Sequence, residues 1–247
     1  MQAKLKGIVI NETPYGETSK ILSVITDNYG VISLMAKGCK SMKNKLRGIS
    51  NKMNYCEYVI NYKEKGISTL IEGSTINSFK NVFGDMKKSL YCFYLLDLIK
   101  QVSSENNDKN IFVLLEGALI KINDGLSPEL ISNIVELQLL SFLGVELHLH
   151  SCVICGRKDH LITIDMAKSG ALCQDCYQGE TILDDKALKL MQILMVIDLK
   201  KIEKLEITDF RVFENIDHFI HEYYGNYTGI YHQKKNKLNS CNYVNLR

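Results

Sequence analysis

Residues 5–36 read LKGIVINETPYGETSKILSVITDNYGVISLMA, and they contain three apolar, β-branched runs separated by turn residues. The runs are Leu5–Asn11, Ser19–Thr26 and Val31–Ala36. Runs of this kind, bounded by glycine, proline and asparagine, are typical of short β-strands. Further along, Tyr55–Tyr62 is another such run, and Ile67–Phe79 supplies a last strand or strand pair. About five short strands in roughly eighty residues predict a small closed barrel of the oligonucleotide/oligosaccharide-binding (OB) type.

After residue 80 the apolar residues recur at helical spacing instead. This spacing predicts five helices, around residues 86–98, 111–122, 130–142, 188–195 and 210–220. Ser127-Pro128, Asp184 or Asp185, and Thr208-Asp209 mark three of the helix starts, because each offers a capping oxygen before the first turn. The fold class is therefore α+β and multidomain. We expect an OB-fold domain over residues 1–80 and a helical domain over residues 81–247, with an inserted cysteine-bearing segment at 148–180.

Four of the eight cysteines form two close pairs, Cys152/Cys155 and Cys173/Cys176, with seventeen residues between the pairs. Two Cys-x-x-Cys pairs at this separation are typical of a four-thiolate zinc site. Because four thiolates complete a tetrahedron, we expect one structural Zn²⁺ ion in a zinc ribbon or hairpin. The alternatives are a redox pair and a chance pairing of buried thiols. The nearby histidines are expected at the surface, and the remaining cysteines are expected to serve packing: Cys39, Cys56, Cys92 and Cys241.

The net charge of +2 hides an uneven distribution. Residues 1–80 carry twelve lysines and arginines against six acidic residues, whereas residues 81–150 carry five against nine. Residues 37–52 contain no acidic residue and six cations: Lys37, Lys40, Lys43, Lys45, Arg47 and Lys52. A basic loop beside an OB-type barrel suits a phosphate backbone, so we expect nucleic-acid binding here; the alternative is a solvated loop. Tyr15, Tyr29 and Tyr55 are candidates for base stacking, although aromatic residues in strands more often belong to the core.

No catalytic motif stands in the sequence. It lacks the G-x-x-x-x-G-K-[ST], G-x-G-x-x-G, H-E-x-x-H and G-x-S-x-G patterns, so we expect no enzymatic activity. Isolated carboxylates such as Asp97 and Glu136 read as ordinary helix-face charges. No run of eighteen uncharged apolar residues exists, and no apolar signal core stands at the N-terminus, so no membrane partner and a cytoplasmic location are expected.

Several motifs, in this order, resemble one known family. The motifs Lys6-Gly7-Ile8-Val9-Ile10, Tyr15-Gly16-Glu17, Ala36-Lys37-Gly38 and Leu46-Arg47-Gly48 are similar to the N-terminal barrel of the bacterial DNA repair protein RecO family. Glu136–Leu140, Cys152–Gly156 and Gly170–Cys176 are similar to its helical and zinc-binding part. The resemblance runs from about residue 3 to about residue 190, and its specificity lies in the order and spacing of the motifs together.

The resemblance implies a recombination mediator of the bacterial nucleoid, without enzymatic turnover. Such proteins bind single- and double-stranded DNA, anneal complementary strands, and help to load the RecA recombinase onto strands coated by single-stranded-DNA-binding protein. The implied partners are DNA, RecR, RecF in some settings, and the acidic tail of the coating protein. The family's DNA-contacting loop corresponds here to the cations from Lys37 to Arg47. The alternative function is a zinc-ribbon module for protein–protein assembly, in which the basic loop is incidental.

Overall fold

The computed structural model describes residues 1–105, 108–180, 185–204 and 210–230. It divides into two compact units, Met1–Pro128 and Glu129–Arg247. The predicted domain boundary at residue 80 falls inside the first unit and stays a prediction. The helix starts expected at Asp184 and at Thr208-Asp209, together with the polar tail from Tyr231, lie outside the described residues. Within the described part of the chain, no helix combines the length and the apolar character needed to cross a bilayer.

A closed five-stranded barrel forms the core of the first unit. Its strands are β1 (Gln2–Tyr15), β2 (Ser19–Thr26), β3 (Gly30–Ala36), β4 (Tyr55–Asn61) and β5 (Ile67–Asn77). They follow the order β1-β2-β3-β5-β4, and β4 pairs with β1 to close the barrel. All neighbouring strands are antiparallel except β3 and β5, which are parallel. The predicted five-stranded barrel is confirmed, and the expected last strand or strand pair is the single strand β5.

The first strand is longer than the apolar run that predicted it. Beyond Val9 it pairs only with β2, and this pairing continues through Pro14, opposite Lys20, to Tyr15, opposite Ser19. Proline, which has no backbone N–H to donate, is tolerated there because the strand has no neighbour on its other side. The end of β1 and the start of β2 therefore form a projecting hairpin, whose residues 13–18 are all exposed.

Three helices complete the first unit: α1 (Lys80–Phe83), α2 (Met86–Glu105) and α3 (Lys109–Asn123). The side chain of Asp108 accepts a hydrogen bond from the backbone N–H of Asn110 and so caps α3. The single-turn helix α1 has no side-chain cap and no periodic pattern long enough to predict it. Helix α2 packs against β1 and α3, which covers one side of the barrel.

The second unit contains the helices α4 (Pro128–Phe142), α5 (Asp185–Val196) and α6 (Phe210–Tyr227), and the two-stranded hairpin of β6 (Leu161–Asp165) and β7 (Gly170–Cys173). Glu136 is fully buried in α4, so its interpretation as a helix-face charge was wrong. Its backbone carbonyl accepts a hydrogen bond of 2.7 Å from the hydroxyl of the buried Tyr224 on α6. Tyr224 thus joins α6 to α4.

Candidate metal centre and nucleic-acid interface

The two cysteine pairs come together in the second unit. The Sγ atoms of Cys152, Cys155, Cys173 and Cys176 all lie within 4.8 Å of one another, and those of Cys155 and Cys173 are 3.6 Å apart. Four thiolates bound at about 2.3 Å to a tetrahedral zinc ion lie roughly 3.8 Å from each other. The four sulfurs therefore fit one four-coordinate ion, and such an ion has no open position for a substrate.

Tight backbone turns place each pair. In the first pair, the N–H of Gly156 donates to the carbonyl of Cys152 at 2.8 Å, and Gly156 adopts a φ of 75° that favours glycine. In the second pair, Cys173 ends β7 and precedes a 3₁₀ turn, Gln174–Cys176. Each turn holds two thiols three residues apart on the same side of the chain.

Backbone contacts and one ion pair lock the two turns together. The N–H of Val153 donates to the carbonyl of Ala171 at 2.9 Å, which joins the first turn to β7. Gly170 lies so close to this segment that a Cβ atom added there would overlap Val153 and lie 2.9 Å from the carbonyl oxygen of His148. The guanidinium group of Arg157 pairs with the carboxylate of Asp175, across the two turns. The thiols are therefore held near one another by contacts that do not depend on a metal.

The thiols of the cluster differ in burial and in proton affinity. Cys152 and Cys173 are buried, Cys176 is half-buried and Cys155 is exposed. Burial opposes ionisation of Cys152, but hydrogen bonds from the backbone N–H groups of Cys155 and Cys173 outweigh it and lower its pKa to about 6. The pKa of Cys176 is raised to about 12, because its thiol donates to Cys155 and because of burial. A bound cation would replace the protons that this cluster holds.

The other candidate ligands and cysteines lie as the sequence predicts. His148, His150 and His160 are exposed, and the four cysteines are the only cluster of potential metal ligands within the described residues. Cys39, Cys56 and Cys92 are buried, in agreement with a packing role, whereas Cys241 lies outside the described residues.

In the first unit, the six predicted DNA-binding cations lie on the segment between β3 and β4. We call residues 37–52 the basic segment. Three apolar side chains of this segment pack into the barrel core: Cys39, Leu46 and Ile49. The Asn44 side chain accepts from the N–H of Leu46 at 2.8 Å and donates to the carbonyl of Lys37 at 3.1 Å. The backbone of the segment is therefore held in place, while most of its cationic side chains remain exposed.

Five of the cations are exposed: Lys37, Lys40, Lys43, Lys45 and Arg47. None of the five forms an ion pair with any residue that the structure describes. The Lys40 ammonium group donates to the backbone carbonyl of Gly16 at 3.2 Å, and the Arg47 guanidinium group donates to the sulfur of Met42. These neutral acceptors leave the positive charges uncompensated, as a surface that binds phosphates requires.

Lys52, the sixth cation, is held differently. Its Nζ lies 2.9 Å from Oδ1 of Asp97 on α2, and 5.5 Å from the centre of the Phe93 ring. The interpretation of Asp97 as an unpaired helix-face charge was therefore wrong. The sequence offers no signal for this pair, because the two residues lie 45 positions apart.

The three candidate stacking tyrosines have different surroundings. Tyr55 is buried, and its hydroxyl donates to Glu116 on α3 at 2.6 Å. Burial is the main cause that raises the pKa of Tyr55, and the hydrogen bond to Glu116 adds to it. Tyr29 packs against Tyr62, with ring centres 4.5 Å apart. Tyr15 is 56% exposed, which leaves its ring open to solvent.

Comparison with known proteins relates both parts of the chain to one family. The family model "Recombination protein O N terminal" matches residues 1–79, and "Recombination protein O C terminal" matches residues 84–237. The chain is 32% identical to the DNA repair protein RecO of Caldicellulosiruptor bescii, over 83% of this chain and 84% of that protein. It is 29% identical to the DNA repair protein RecO of Bacillus pumilus, over 97% and 94% of the two chains. The corresponding protein of Bacillus subtilis is 26% identical, over 96% and 94%.

Proposed function

The chain belongs to the recombination protein O family, whose members are DNA repair proteins, and we propose that it is a mediator of homologous recombination. In this proposal it binds single- and double-stranded DNA, anneals complementary strands and helps to load a recombinase onto strands coated by single-stranded-DNA-binding protein. It forms and breaks no covalent bond and is therefore not an enzyme. It acts at the nucleoid in the bacterial cytoplasm.

One observation carries the DNA-binding part of the proposal, namely the five exposed cations of the basic segment without an ion-pair partner among the described residues. Two DNA strands repel each other through their phosphates, and each neutralised phosphate reduces that repulsion. A strand held along this segment presents its bases outward for pairing with a second strand. Strand annealing needs only this neutralisation and a fixed backbone, which the apolar anchors Cys39, Leu46 and Ile49 supply.

The second unit supplies a rigid platform in this proposal, with Cys152, Cys155, Cys173 and Cys176 holding one structural Zn²⁺ ion. Zinc is the metal that four thiolates in a closed tetrahedral site favour. The ion stabilises the hairpin of β6 and β7 and takes no part in DNA chemistry. Metal analysis of protein purified without added metal is expected to find about one zinc ion per chain, and a value far below that would contradict the assignment.

The protein partners are proposed from family membership. They are RecR, RecF in some settings, and the acidic tail of single-stranded-DNA-binding protein. Co-purification of each partner with the intact protein tests these contacts one by one, and a partner that never co-purifies is removed from the proposal.

The salt dependence of DNA binding tests the role of the basic segment. Each single-strand phosphate contact contributes about 0.7 to the slope of log affinity against log salt, so five contacts give a slope of about −3.5. The double variant Lys43→Gln/Lys45→Gln is expected to weaken this slope by about 1.4. The matched control is Lys63→Gln/Lys65→Gln, which removes two exposed lysines of the same spacing from the turn between β4 and β5. Equal slopes for the two double variants would overturn the assignment.

An annealing assay tests the mediator activity itself. Complementary strands are coated with the cognate single-stranded-DNA-binding protein and mixed with the wild-type protein or either double variant. Faster annealing with the wild type and the control, but not with Lys43→Gln/Lys45→Gln, supports the proposal. If the protein binds no DNA and still assembles with partner proteins, the zinc-ribbon assembly module is the correct function.

A further inference from the structure

The projecting hairpin of β1 and β2 is fastened to the basic segment. Tyr15 pairs with Ser19 across the hairpin, and Lys20 pairs with Ala36 at the end of β3. The basic segment begins directly after Ala36. Because neighbouring strands lie about 4.8 Å apart, the end of β1 is about 10 Å from the start of this segment.

Three hydrogen bonds hold this arrangement. The N–H of Lys40 donates to the carbonyl of Thr18 at 2.8 Å, and its ammonium group donates to the carbonyl of Gly16 at 3.2 Å. The N–H of Gly38 donates to the hydroxyl of Ser19 at 3.0 Å. The turn after Tyr15 is thus bound to the chain that carries the cations, so the ring and the cations keep a defined separation.

Only one of the three candidate tyrosines lies at this end of the barrel with a free ring. Tyr29 follows β2, whose last residue Thr26 pairs with Gly7, so it lies toward the opposite end of these strands. Tyr55 is buried against α3. No aromatic ring of a described residue packs against Tyr15, and more than half of its surface faces solvent.

We propose that Tyr15 is a base-stacking residue that makes the DNA site favour single strands over duplex. This inference rests on the proposed function, because it requires DNA along the basic segment. A single strand can place its phosphates on the cations and turn one base onto the Tyr15 ring. In a duplex the base faces are stacked on neighbouring pairs, so the ring gains no contact.

The stacking contact is tested with a fluorescent side chain. The chain contains no tryptophan, so Tyr15→Trp introduces a single indole at the proposed contact. The matched control is Tyr62→Trp, since Tyr62 follows β4 at Asn61, which pairs with Gln2 at the other end of β1. A 16-nucleotide oligothymidylate is titrated into each variant at low salt. We expect strong quenching at position 15 and little change at position 62.

Affinity measurements complete the test. Base–aromatic stacking is worth about 5- to 150-fold in affinity when the aromatic residue is changed to alanine. Tyr15→Ala is expected to weaken oligothymidylate binding within this range, with the salt slope and duplex affinity unchanged, while Tyr15→Phe retains wild-type affinity. Circular dichroism confirms folding, which this exposed position does not endanger.

The outcomes separate the two proposals. If Tyr15→Ala binds single strands like the wild type while Lys43→Gln/Lys45→Gln binds them weakly, stacking is refuted and the basic segment retains its role. An equal loss of single-strand and duplex affinity in Tyr15→Ala also refutes the preference for single strands. If neither variant alters binding, the DNA site lies elsewhere and both proposals fail.

Discussion

Lys52 provides a sharp test of how charge acts in the basic segment. Its ammonium group is paired with Asp97 at 2.9 Å and its side chain is 24% exposed, whereas Lys45 is exposed and unpaired among the described residues. A cation already neutralised by a carboxylate contributes little to the release of counterions from DNA. We therefore predict that Lys52→Gln leaves the salt slope of single-strand binding unchanged, and that the matched variant Lys45→Gln weakens it by about 0.7.

Lys52→Gln is expected to lower the stability of the protein instead. A partly exposed ion pair contributes about 0.2–1 kcal/mol, and a cation over an aromatic ring adds about 0.5–1 kcal/mol. Removing both the contact with Asp97 and the contact with Phe93 should therefore lower the free energy of unfolding by about 1–2 kcal/mol. Lys45→Gln, which removes neither contact, should change it by less than about 0.5 kcal/mol. Urea denaturation of both variants measures this difference.

A third variant is expected to increase the salt dependence of binding. Asp97→Asn releases the ammonium group of Lys52 and should steepen the slope from about −3.5 toward about −4.2, as a sixth contact becomes available. The assay is fluorescence anisotropy of a labelled oligonucleotide between low and moderate salt. If Lys52→Gln weakens the slope as much as Lys45→Gln does, Lys52 contacts DNA directly, as its place in the sequence predicts, and the reasoning from the ion pair is refuted.

Three further predictions concern the second unit. Gly170→Ala should lower the zinc content and the melting temperature together, because the added Cβ overlaps Val153; a zinc content of one ion per chain with an unchanged melting temperature would contradict the close contact. Removal of metal by a chelator should destabilise the wild type and leave Cys176→Ser, which is expected to bind metal weakly, almost unaffected in a thermal scan. The hydrogen bond from Lys168 is the main cause that lowers the pKa of Asp165 in the folded protein. The ionised Asp165 therefore stabilises the fold above its unfolded pKa of about 4. This stabilisation is lost as the pH falls through the lower pKa of the folded state. The stability difference between wild type and Asp165→Asn should thus be constant from about pH 5 to 8 and shrink below about pH 4, and a difference that grows in acid would refute this sign.

The strands and helices were predictable because their signals are local. Most barrel strands contain an apolar run closed by turn residues, and β2, expected at Ser19–Thr26, has the predicted bounds. The four-cysteine cluster was also predictable. Two pairs, each with its cysteines three residues apart, have few other uses in one chain. Helix α1 was missed because four residues carry no period.

The features that the sequence did not predict depend on contacts between distant residues. The closed barrel requires the parallel pairing of β3 with β5, but no local pattern specifies it. The pairing of Lys52 with Asp97 and the burial of Glu136 depend on which helix face meets the rest of its unit. The hydrogen bonds from Lys40 to the hairpin likewise follow from the strand register, which places the start of β2, and with it the turn after β1, beside the end of β3.

The basic segment must satisfy two opposing physical demands. Five like charges within eleven residues repel one another, and none of them forms an ion pair with an acidic side chain among the described residues. An acidic partner would hold the segment in place, but it would also cancel the charge that DNA requires, as the pair between Lys52 and Asp97 illustrates at the segment's end. Between Lys37 and Arg47 the segment is instead held by apolar side chains and by hydrogen bonds to backbone carbonyls, neither of which neutralises charge. The weak net charge of the whole chain is therefore a poor guide to function, since what matters is where the positive charges are left without partners.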